Sequence, residues 1–470
     1  MAREDECKMP MERCVSLTLG KMRMSWPALL ATSCLGLLLS ACGGGGSSST
    51  PTAATPTFTP STGSYSTAQS VSISDSTSGA SIYYTTNGSM PTTTSSRYSG
   101  PIAVSKTTTI QAIAAASGYL NSPAASATFT INLTAAAPEI STTAAQAGAL
   151  IVSLSDTTAG STIYFTLDGS TPTTSSQIYQ APFLVASNLT VNAMAAASGF
   201  ANSSVTSQSF SPNIPAATLV WSDEFSNSSG ANAQPNPLNW TYDTGLGSVC
   251  CGNNELETYC AWGSSLAPCN PASPNAYTDT TGILHIVAQN PSAGVYTSAR
   301  LKSQGLFSFM YGRIEARMML PESQGMWPAF WLLGNNITTI SWPACGEQDV
   351  MEHINGSNPE NEGYDWTQGS IHGTNLNGGI QYHPAGFSAA AWHTYGMIWS
   401  PGQVQYYVDS PTNVYATFTP STQTGTWPFD SGPEFIILNL AVGGDWPGSP
   451  DSTTVFPSEV QVDYVRIYTN

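Results

Sequence analysis

The octapeptide Gly346-Glu347-Gln348-Asp349-Val350-Met351-Glu352-His353 is the most informative segment of this 470-residue chain. It carries three acids within six positions, in a protein in which only 9% of the residues are charged. On a regular β-strand Glu347 and Asp349 share one face, whereas Glu352 points to the other. One extra residue near Val350-Met351, a β-bulge, returns Glu352 to the first face. The octapeptide therefore predicts a bulged strand with three carboxylates in a row.

Three neighbouring carboxylates have a chemical consequence. Like charges in a cleft raise the pKa of one member, so that one carboxyl holds a proton while another stays ionised. Hydrolysis of a glycosidic bond with retention needs such a pair, with the two carboxyls about 5 Å apart. A solvated strand edge or a cation site would show the same spacing, and the spacing alone leaves these alternatives open.

The sequence around this strand has the two-residue period of β-structure. Residues 282–287, 312–318 and 460–467 alternate apolar and polar side chains, and no stretch sustains a 3.6-residue period. Eleven of the twelve tryptophans lie in residues 214–470. This segment is therefore predicted to be one large β-sandwich with aromatic-rich loops.

An internal repeat precedes that domain. The residues that recur 81 positions later are Tyr83 as Tyr164, Asn87 as Asp168, Pro91 as Pro172 and Tyr98 as Tyr179. Each copy contains short runs of alternating apolar and polar residues, and Asn-Gly or Asp-Gly, which is a hairpin signal, separates these runs. Two small β-sandwich modules are predicted, at residues 56–131 and 138–213.

The repeats offer no set of residues for catalysis. Residues 43–213 contain six charged side chains, and these are spread over the whole segment. We expect the modules to act as a spacer. Sugar binding through Tyr83, Tyr84 and Tyr164 is the alternative, although these tyrosines alternate like residues of a strand core.

Overall charge excludes one class of partner. Lys and Arg number 12 against 29 Asp and Glu, which gives a formal net charge of −17. A nucleic-acid-binding protein needs a basic face to neutralise phosphates, so no nucleic-acid partner is expected. We expect a monomer.

The amino terminus is typical of an exported protein. Lys21 and Arg23 precede an apolar run that is short for a membrane span and ends at Ala41-Cys42. Residues 1–41 resemble a bacterial lipoprotein signal, with Cys42 as the lipidated residue and residues 42–55 as a linker. An ordinary signal peptide with an incidental Cys is the alternative. The lipid would be the protein's only attachment to a membrane. The protein is expected to be exported, either as an outer-membrane lipoprotein or to the cell surface or periplasm.

Besides the lipidated Cys42, five cysteines remain after that signal, in an oxidising compartment. One or two disulfides are predicted among Cys250, Cys251, Cys260 and Cys269, which leaves Cys345 as a free thiol. No Cys or His cluster has the spacing of a zinc site.

The ordered motifs of residues 219–470 resemble glycoside hydrolase family 16, and most of all its laminarinase-type branch. The motifs are Trp221-Ser222-Asp223-Glu224-Phe225, Asn253-Asn254-Glu255-Leu256, Gly312-Arg313-Ile314-Glu315-Ala316-Arg317, Met326-Trp327-Pro328-Ala329-Phe330-Trp331, Glu347-Gln348-Asp349-Val350-Met351-Glu352 and Asn439-Leu440-Ala441-Val442-Gly443-Gly444-Asp445-Trp446. The repeats resemble the immunoglobulin-like module at the carboxyl end of chitobiases and β-hexosaminidases. The resemblance implies an all-β protein, with a jelly-roll catalytic domain behind two small immunoglobulin-like sandwiches.

The resemblance also implies catalytic roles. Glu347 would be the nucleophile, Glu352 the general acid and then base, and Asp349 the residue between them that sets their ionisation. Gln348 departs from the aliphatic residue that is usual in the family. Because its side chain would point into the sandwich, its buried amide must find hydrogen-bond partners.

The substrate-binding residues implied by the resemblance are Asn254, Glu315, Arg317, Trp327, Trp342, His372, Asn439 and Trp446. Glu315 and Arg317 would contact sugar at the cleft floor, unless they form a structural ion pair. Trp342 and Trp446 would stack on sugar rings. Of Trp327 and Trp331, at least one is expected in the core.

A structural calcium ion is the one metal that the resemblance implies. Glu224, Asp463 and the backbone of Gly282 match the family's site on the convex face, and calcium prefers oxygen ligands. Catalysis itself is expected to need no cofactor.

The function implied is retaining endo-hydrolysis of a polysaccharide, β-1,3-glucan of the laminarin type, with mixed β-1,3-1,4 linkages also open. Enzymes for agar, carrageenan and xyloglucan share the fold, and loops rather than the catalytic strand discriminate among them. A glucan-binding protein without activity is the other alternative. A lectin has no need of all three acids.

Overall fold

The computed structural model describes residues 49–354 and 365–470. The signal segment 1–41 and the lipidation site Cys42 lie outside the described residues. Strands make up 46% of the structure and helices 3%, which confirms the predicted all-β class. In the described part of the chain, no helix is long and apolar enough to cross a membrane.

The first repeat is a small sandwich of two sheets. Its strands are β1 (Thr57–Thr59), β2 (Gly63–Tyr65), β3 (Gln69–Ser74), β4 (Ser81–Thr85), β5 (Ser96–Arg97), β6 (Ile102–Val104), β7 (Thr108–Ala115), β8 (Ala125–Ile131) and β9 (Leu133–Thr134). The sheets have the orders β1-β3-β6 and β2-β8-β7-β4-β5. Alternate residues of each strand point to the same face, and the two inner faces pack together. The fully buried residues between them include Val71, Ile110 and Phe129.

The second repeat has the same plan. Its strands are β10 (Glu139–Ala144), β11 (Leu150–Ser155), β12 (Thr162–Thr166), β13 (Gln177–Ile178), β14 (Phe183–Val185), β15 (Leu189–Ala196), β16 (Phe200–Ala201) and β17 (Thr206–Phe210), with a 3-10 turn at Gln146–Gly148. Val152, Phe165 and Val191 form its core. β9 pairs with β16 and so links the two modules.

The remaining chain forms a large two-sheet sandwich. Its strands are β18 (Leu219–Asp223), β19 (Thr241–Asp243), β20 (Gly245–Leu246), β21 (Glu257–Tyr259), β22 (Ala276–Thr278), β23 (Leu284–Ser292), β24 (Val295–Ser298), β25 (Arg300–Lys302), β26 (Ser308–Phe309), β27 (Gly312–Met319), β28 (Met326–Gly334), β29 (Glu347–Glu352), β30 (Thr367–Gly373), β31 (Leu376–Tyr382), β32 (His393–Ser400), β33 (Gln403–Val408), β34 (Val414–Phe418), β35 (Glu434–Val442) and β36 (Ser458–Tyr468). Two one-turn helices, α1 (Gly247–Cys250) and α2 (Ile337–Ile340), lie in its loops.

The two sheets of this domain have different roles. The sheet that we call the cleft sheet has the order β26-β35-β28-β29-β30-β31, and the outer sheet has the order β20-β21-β24-β23-β36-β27-β32-β33-β34. Phe330, Trp399 and Ile436 are fully buried between them. The acid-bearing strand β29 lies inside the cleft sheet, paired on both edges.

The predicted bulge in β29 is confirmed. Asp349 pairs with Trp331 and Met351 with Phe330, so Val350 is an extra residue in the pairing with β28. Val350 and Met351 are both buried in the core. Because two successive side chains turn inward, Glu352 returns to the side of the sheet that carries Asp349.

The second module is not a separate spacer. Its strand β14 pairs in parallel with β26, so β10, β11 and β14 continue the cleft sheet. Ala149 and Leu184 of this module are buried in the core cluster of the large domain. Gln146 Nε2 also donates to Ser222 Oγ at 3.0 Å. The spacer prediction is therefore wrong for the second module, because its sheet and part of its core are shared.

Candidate active site

The three acids of β29 meet in a pocket of about 400 Å³, on the face of the cleft sheet that points away from the core. Glu347, Asp349 and Glu352 all line it. Oxygens of Glu347 and Asp349 and a ring nitrogen of His372 lie within 4.8 Å of one another. Because β30 runs beside β29 with His372 opposite Glu347, the pairing register holds the imidazole against the acids.

Each acid has its own polar neighbour. Trp342 Nε1 donates to Glu347 Oε2 at 2.8 Å. His372 Nε2 lies 3.1 Å from Asp349 Oδ2. Trp327 Nε1 and Ser370 Oγ each donate to Glu352, at 3.1 Å. These donors fix the orientation of the two outer carboxyls.

Burial and mutual repulsion raise the pKa of all three acids. Loss of hydration, followed by the charge of Asp349, raises the pKa of Glu347 to about 8. Burial, then the charge of Glu352, raises the pKa of Asp349 well above its usual range. Burial also raises the pKa of Glu352, although His372 and the hydrogen bonds from Trp327 and Ser370 oppose it. At neutral pH the cluster therefore retains protons, as general acid catalysis requires.

The buried amide of Gln348 finds the partner that its position demands. Its Nε2 donates to Glu434 Oε2 at 2.7 Å, beneath the catalytic strand. Glu434 lies on β35, is 2% exposed, and burial raises its pKa to about 8. Gln348, which stands where the family usually has an aliphatic residue, thus has a hydrogen-bond partner in Glu434 of the same sheet.

Several of the predicted substrate-binding residues surround the acids. Trp327, Trp342 and Asn439 line the pocket, and Trp342 is 56% exposed at its rim. Trp446 packs edge-on against Trp327 with ring centroids 5.4 Å apart. Asn254 is exposed on a neighbouring loop. Its Nδ2 donates to Asp445 Oδ1 at 2.9 Å.

The expectation for the pair Trp327 and Trp331 is met only in part. Both indoles are partly exposed and line the pocket. Neither belongs to the main core, but Trp331 packs against a small buried cluster that includes Leu333 and Phe435. Trp331 Nε1 donates to Asn439 Oδ1 at 2.7 Å. Side chains an even number of positions apart on a strand share a face, so Trp327 and Trp331 both point to the pocket. Phe330, between them in sequence, points to the opposite face and into the core.

Glu315 and Arg317 do not reach the cleft, and their prediction as sugar contacts is wrong. They lie on β27 in the outer sheet, where Ile314 and Ala316 point into the core. Glu315 therefore points away from the cleft and accepts from Arg313 Nη1 at 2.7 Å. Arg317 pairs with Asp463 at 2.7 Å. The ion-pair alternative describes both residues.

The predicted calcium ligands lie on the outer sheet, but their carboxylates are engaged. Arg466 donates to both oxygens of Glu224, at 2.9 and 2.7 Å. Asp463 accepts from Arg317. Gly282 lies against the backbone carbonyl of Glu224. In this arrangement the two carboxylates are occupied by arginines and do not fit a calcium ion. The structural calcium stays a prediction.

Three pocket features were missed by sequence reasoning. Arg300 lies with its guanidinium 4.6 Å from the ring centroid of Trp331. Glu255 accepts from Tyr259 Oη at 2.9 Å and also lines the pocket. The Cys250–Cys251 disulfide forms part of the wall. The sequence showed the adjacent cysteines and the motif that contains Glu255, but not their place in the pocket. Arg300 had no signal in the sequence, because it reaches the pocket through the pairing of β25 with β35, far from β29 in sequence.

The cysteine prediction is confirmed. The disulfides join Cys250 to Cys251 and Cys260 to Cys269. Cys345 is the buried free thiol of the described residues. Burial, then the charges of Glu434 and Glu347, raises the pKa of this thiol to about 12, so it stays protonated.

Replacing Asp349 by asparagine is expected to lower kcat by about 10²-fold, less than loss of either glutamate. The amide removes a negative charge that raises the pKa of Glu347 and that repels Glu352. The alkaline limb of the pH profile should therefore move down by about one pH unit. Steady-state rates between pH 4 and 10 measure both effects. An unshifted limb would mean that Asp349 does not set the ionisation of its neighbours.

Replacing Glu434 by glutamine is expected to flatten the dependence of stability on pH. Glu434 has a raised pKa of about 8 when folded, against about 4.3 when unfolded. Its contribution is full below the unfolded value and is lost as pH rises through the folded value. Wild-type Tm should fall between pH 5 and 9, and the variant's Tm should fall less. Glu322→Gln, at an exposed acid, is the matched control. Equal slopes for all three proteins would contradict the prediction.

Comparisons with known proteins agree with this geometry. The family described as glycosyl hydrolases family 16 matches residues 269–466. The chitobiase/beta-hexosaminidase C-terminal domain matches residues 60–130 and 142–208.

Individual relatives show how far the similarity extends. A beta-glucanase of Rhodothermus marinus is 36% identical over 277 residues, which cover 55% of this chain and 87% of the relative. A keratan-sulfate endo-1,4-beta-galactosidase of Sphingobacterium multivorum is 35% identical, over 53% of this chain and 54% of that protein. The catalytic domain of an endo-1,3-beta-glucanase from Thermotoga petrophila is 34% identical and covers 54% of this chain and 98% of its own, with a TM-score of 0.45.

The match to the beta-glucanase includes most of that relative's length. The family match at residues 269–466 contains the acid cluster. The repeats match their own family over both copies. This chain therefore belongs to glycosyl hydrolases family 16, and it is a glycoside hydrolase with two chitobiase/β-hexosaminidase C-terminal-type domains ahead of the catalytic domain.

Proposed function

We propose that the enzyme cleaves β-1,3-glucan at internal bonds, with retention of the anomeric configuration. The observation that carries the proposal is the bulged strand, which places Glu347, Asp349 and Glu352 on one face with indole donors on the two outer acids. The beta-glucanase named above supports a glucan as substrate.

The first chemical step uses both glutamates. Glu352 donates its proton to the glycosidic oxygen, and the departing chain leaves with the bonding electrons as an alcohol. Glu347 attacks the anomeric carbon and forms a covalent glycosyl ester. Trp342 Nε1 donates to Oε2 of Glu347 and so orients the attacking carboxylate.

The second step reverses the roles of Glu352. Now ionised, it takes a proton from water, the water oxygen attacks the anomeric carbon, and Glu347 leaves as a carboxylate. Asp349 lies between the two glutamates and repels a second negative charge beside it. It thereby helps to return a proton to the cluster after each turnover.

The indole donors argue against the alternative of a cation site at this cluster. Trp342 and Trp327 direct N–H groups at oxygens of Glu347 and Glu352. A metal ion would compete with those donors for the same lone pairs.

Product analysis on a polysaccharide panel tests the proposal. The panel holds laminarin, lichenan, agarose, carrageenan, xyloglucan and keratan sulfate. We expect laminarin to be cleaved fastest, with products of intermediate length, and proton NMR should show the β-anomer before mutarotation. An initial α-anomer would exclude retention, and a preference for another polysaccharide would replace the substrate. Glucan binding without cleavage would favour the lectin alternative.

We propose further that the protein is exported and anchored by lipid at Cys42. Replacing Cys42 by serine should move the protein from the membrane fraction to the soluble fraction, because the acyl chains would be lost. Cell fractionation with immunodetection measures this, and Cys345→Ser serves as the control for loss of a thiol. A wild-type protein that is already soluble would contradict the anchor.

A further inference from the structure

A second hollow lies between the second module and the catalytic domain. Its volume is about 700 Å³, larger than the roughly 400 Å³ of the catalytic pocket. The module supplies the turn after β12 and the segment before β15, and the catalytic domain supplies residues near Tyr311 and Asp430. We call this hollow the module groove.

The module groove has fixed walls. The parallel pairing of β14 with β26 joins the two walls through one sheet. Leu184 lines the groove and is also buried in the catalytic core. A hollow between two independently moving domains would open and close, whereas this one is held by strand pairing and shared core residues. Preformed hollows of this kind are typical of ligand sites.

The lining favours a neutral polar ligand. Among the described residues that line the groove, none is Lys, Arg or His. Its two acids are engaged, since Asp168 Oδ1 accepts from the backbone and hydroxyl of Ser170, and Asp430 accepts from Tyr311 and from the backbone of Gly402. With no basic side chain beside these two carboxylates, the groove disfavours an anionic ligand, and their existing hydrogen bonds reduce what they offer to a cation.

Polar groups suited to hydroxyls are available in the same place. The side chains of Gln177, Ser187 and Asn188 line the groove and form no hydrogen bond within the described part of the chain. Amides and hydroxyls both donate and accept, as sugar hydroxyls do. The partly exposed ring of Tyr311 adds an aromatic surface. This combination matches an uncharged oligosaccharide.

The module groove and the catalytic pocket share one wall. Ile337 and Trp342 line the catalytic pocket, while Asn336, Ile340 and Ala344 of the same loop line the groove. Trp342 also donates to the proposed nucleophile. A glucan that occupies the cleft thus passes next to the groove, so a distal segment of the same polymer is the nearest neutral oligosaccharide available to it.

We infer that the module groove is an accessory binding site for a neutral oligosaccharide segment of the polymer that is being cleaved. The inference rests on the proposed function for the identity of that polymer. A second contact on the same chain raises its effective concentration at the cleft, without touching the reacting bond. The groove should therefore affect KM for long chains and leave kcat unchanged.

Arginine substitutions at the exposed rim test the inference. Ser175→Arg and Asn188→Arg each place a bulky charge in the groove at a side chain that forms no hydrogen bond. Thr94→Arg is the matched control, because Thr94 is the exposed equivalent of Ser175 in the first module. Kinetic constants are measured with full-length protein on long β-1,3-glucan and on laminaritetraose.

We expect KM on the long glucan to rise by about tenfold in both groove variants, with kcat unchanged and with laminaritetraose kinetics unchanged. Thr94→Arg should match wild type. An unaltered KM in both groove variants, or an equal loss on both substrates, would overturn the inference while leaving the proposed function intact. Failure of wild type to cleave either glucan would instead reject the proposed function, and with it the occupant assigned to the groove.

Discussion

Replacing Glu347 or Glu352 by glutamine is expected to lower kcat on glucan by roughly 10⁴-fold or more, with folding intact. The glutamine at position 347 can accept the Trp342 hydrogen bond but cannot form the glycosyl ester. The glutamine at 352 can accept from Trp327 but has no acidic proton to give. Rates on laminarin and the Tm of each variant measure the two effects. Comparable activity in either variant would remove the proposed mechanism.

Azide rescue of the alanine variants separates the two roles. In Glu347→Ala a cavity remains at the nucleophile position, and azide entering there would attack the anomeric carbon directly to give an α-glycosyl azide. In Glu352→Ala the glycosyl ester on Glu347 still forms when the substrate has a good leaving group, and azide then yields the β-glycosyl azide. Proton NMR distinguishes the two products. The same anomer from both variants would mean that the roles are assigned incorrectly.

Removing both modules is expected to destabilise the catalytic domain by about 3 kcal/mol or more, which corresponds to a fall in Tm of about 10 °C. The deletion takes Leu184 and Ala149 out of the catalytic core and strips β26 of its partner β14. Phe309 on β26, now fully buried, would lie at a free sheet edge. Calorimetry of a chain that starts at residue 214 measures the loss.

A chain that starts at residue 132 is the control for this deletion. It lacks the first sandwich but keeps β9, which pairs with β16 of the second module. Its Tm for the catalytic domain should stay within a few degrees of wild type. If the two truncated chains have the same Tm, the shared sheet contributes nothing to stability and the second module is a spacer after all.

Local pattern was sufficient for the features that depend on neighbours in sequence. The spacing of Glu347, Asp349 and Glu352 required one extra residue, and Val350 is that residue. The repeat offset predicted two sandwiches, because each copy carries its own alternation and hairpin signals. The polar residue at position 348 demanded a buried partner, although the sequence could not say that Glu434, 86 residues away, would supply it. Alternation and bulges are properties of one strand, so they can be read from one strand.

Features that depend on pairing between distant strands needed the tertiary structure. The alternation of Glu315 and Arg317 with apolar residues predicted a shared face, but not that β27 lies in the sheet remote from the cleft.

Arg300 and Glu255 reach the pocket only because β25 and the loop before β21 pack beside β35 and β28. The joining of the second module to the cleft sheet rests on two residue pairs between β14 and β26, too few to leave a pattern. Sequence determined which residues share a face of a strand; packing decided which sheet each strand joins, because pairing partners are chosen by the whole core and not by the strand alone.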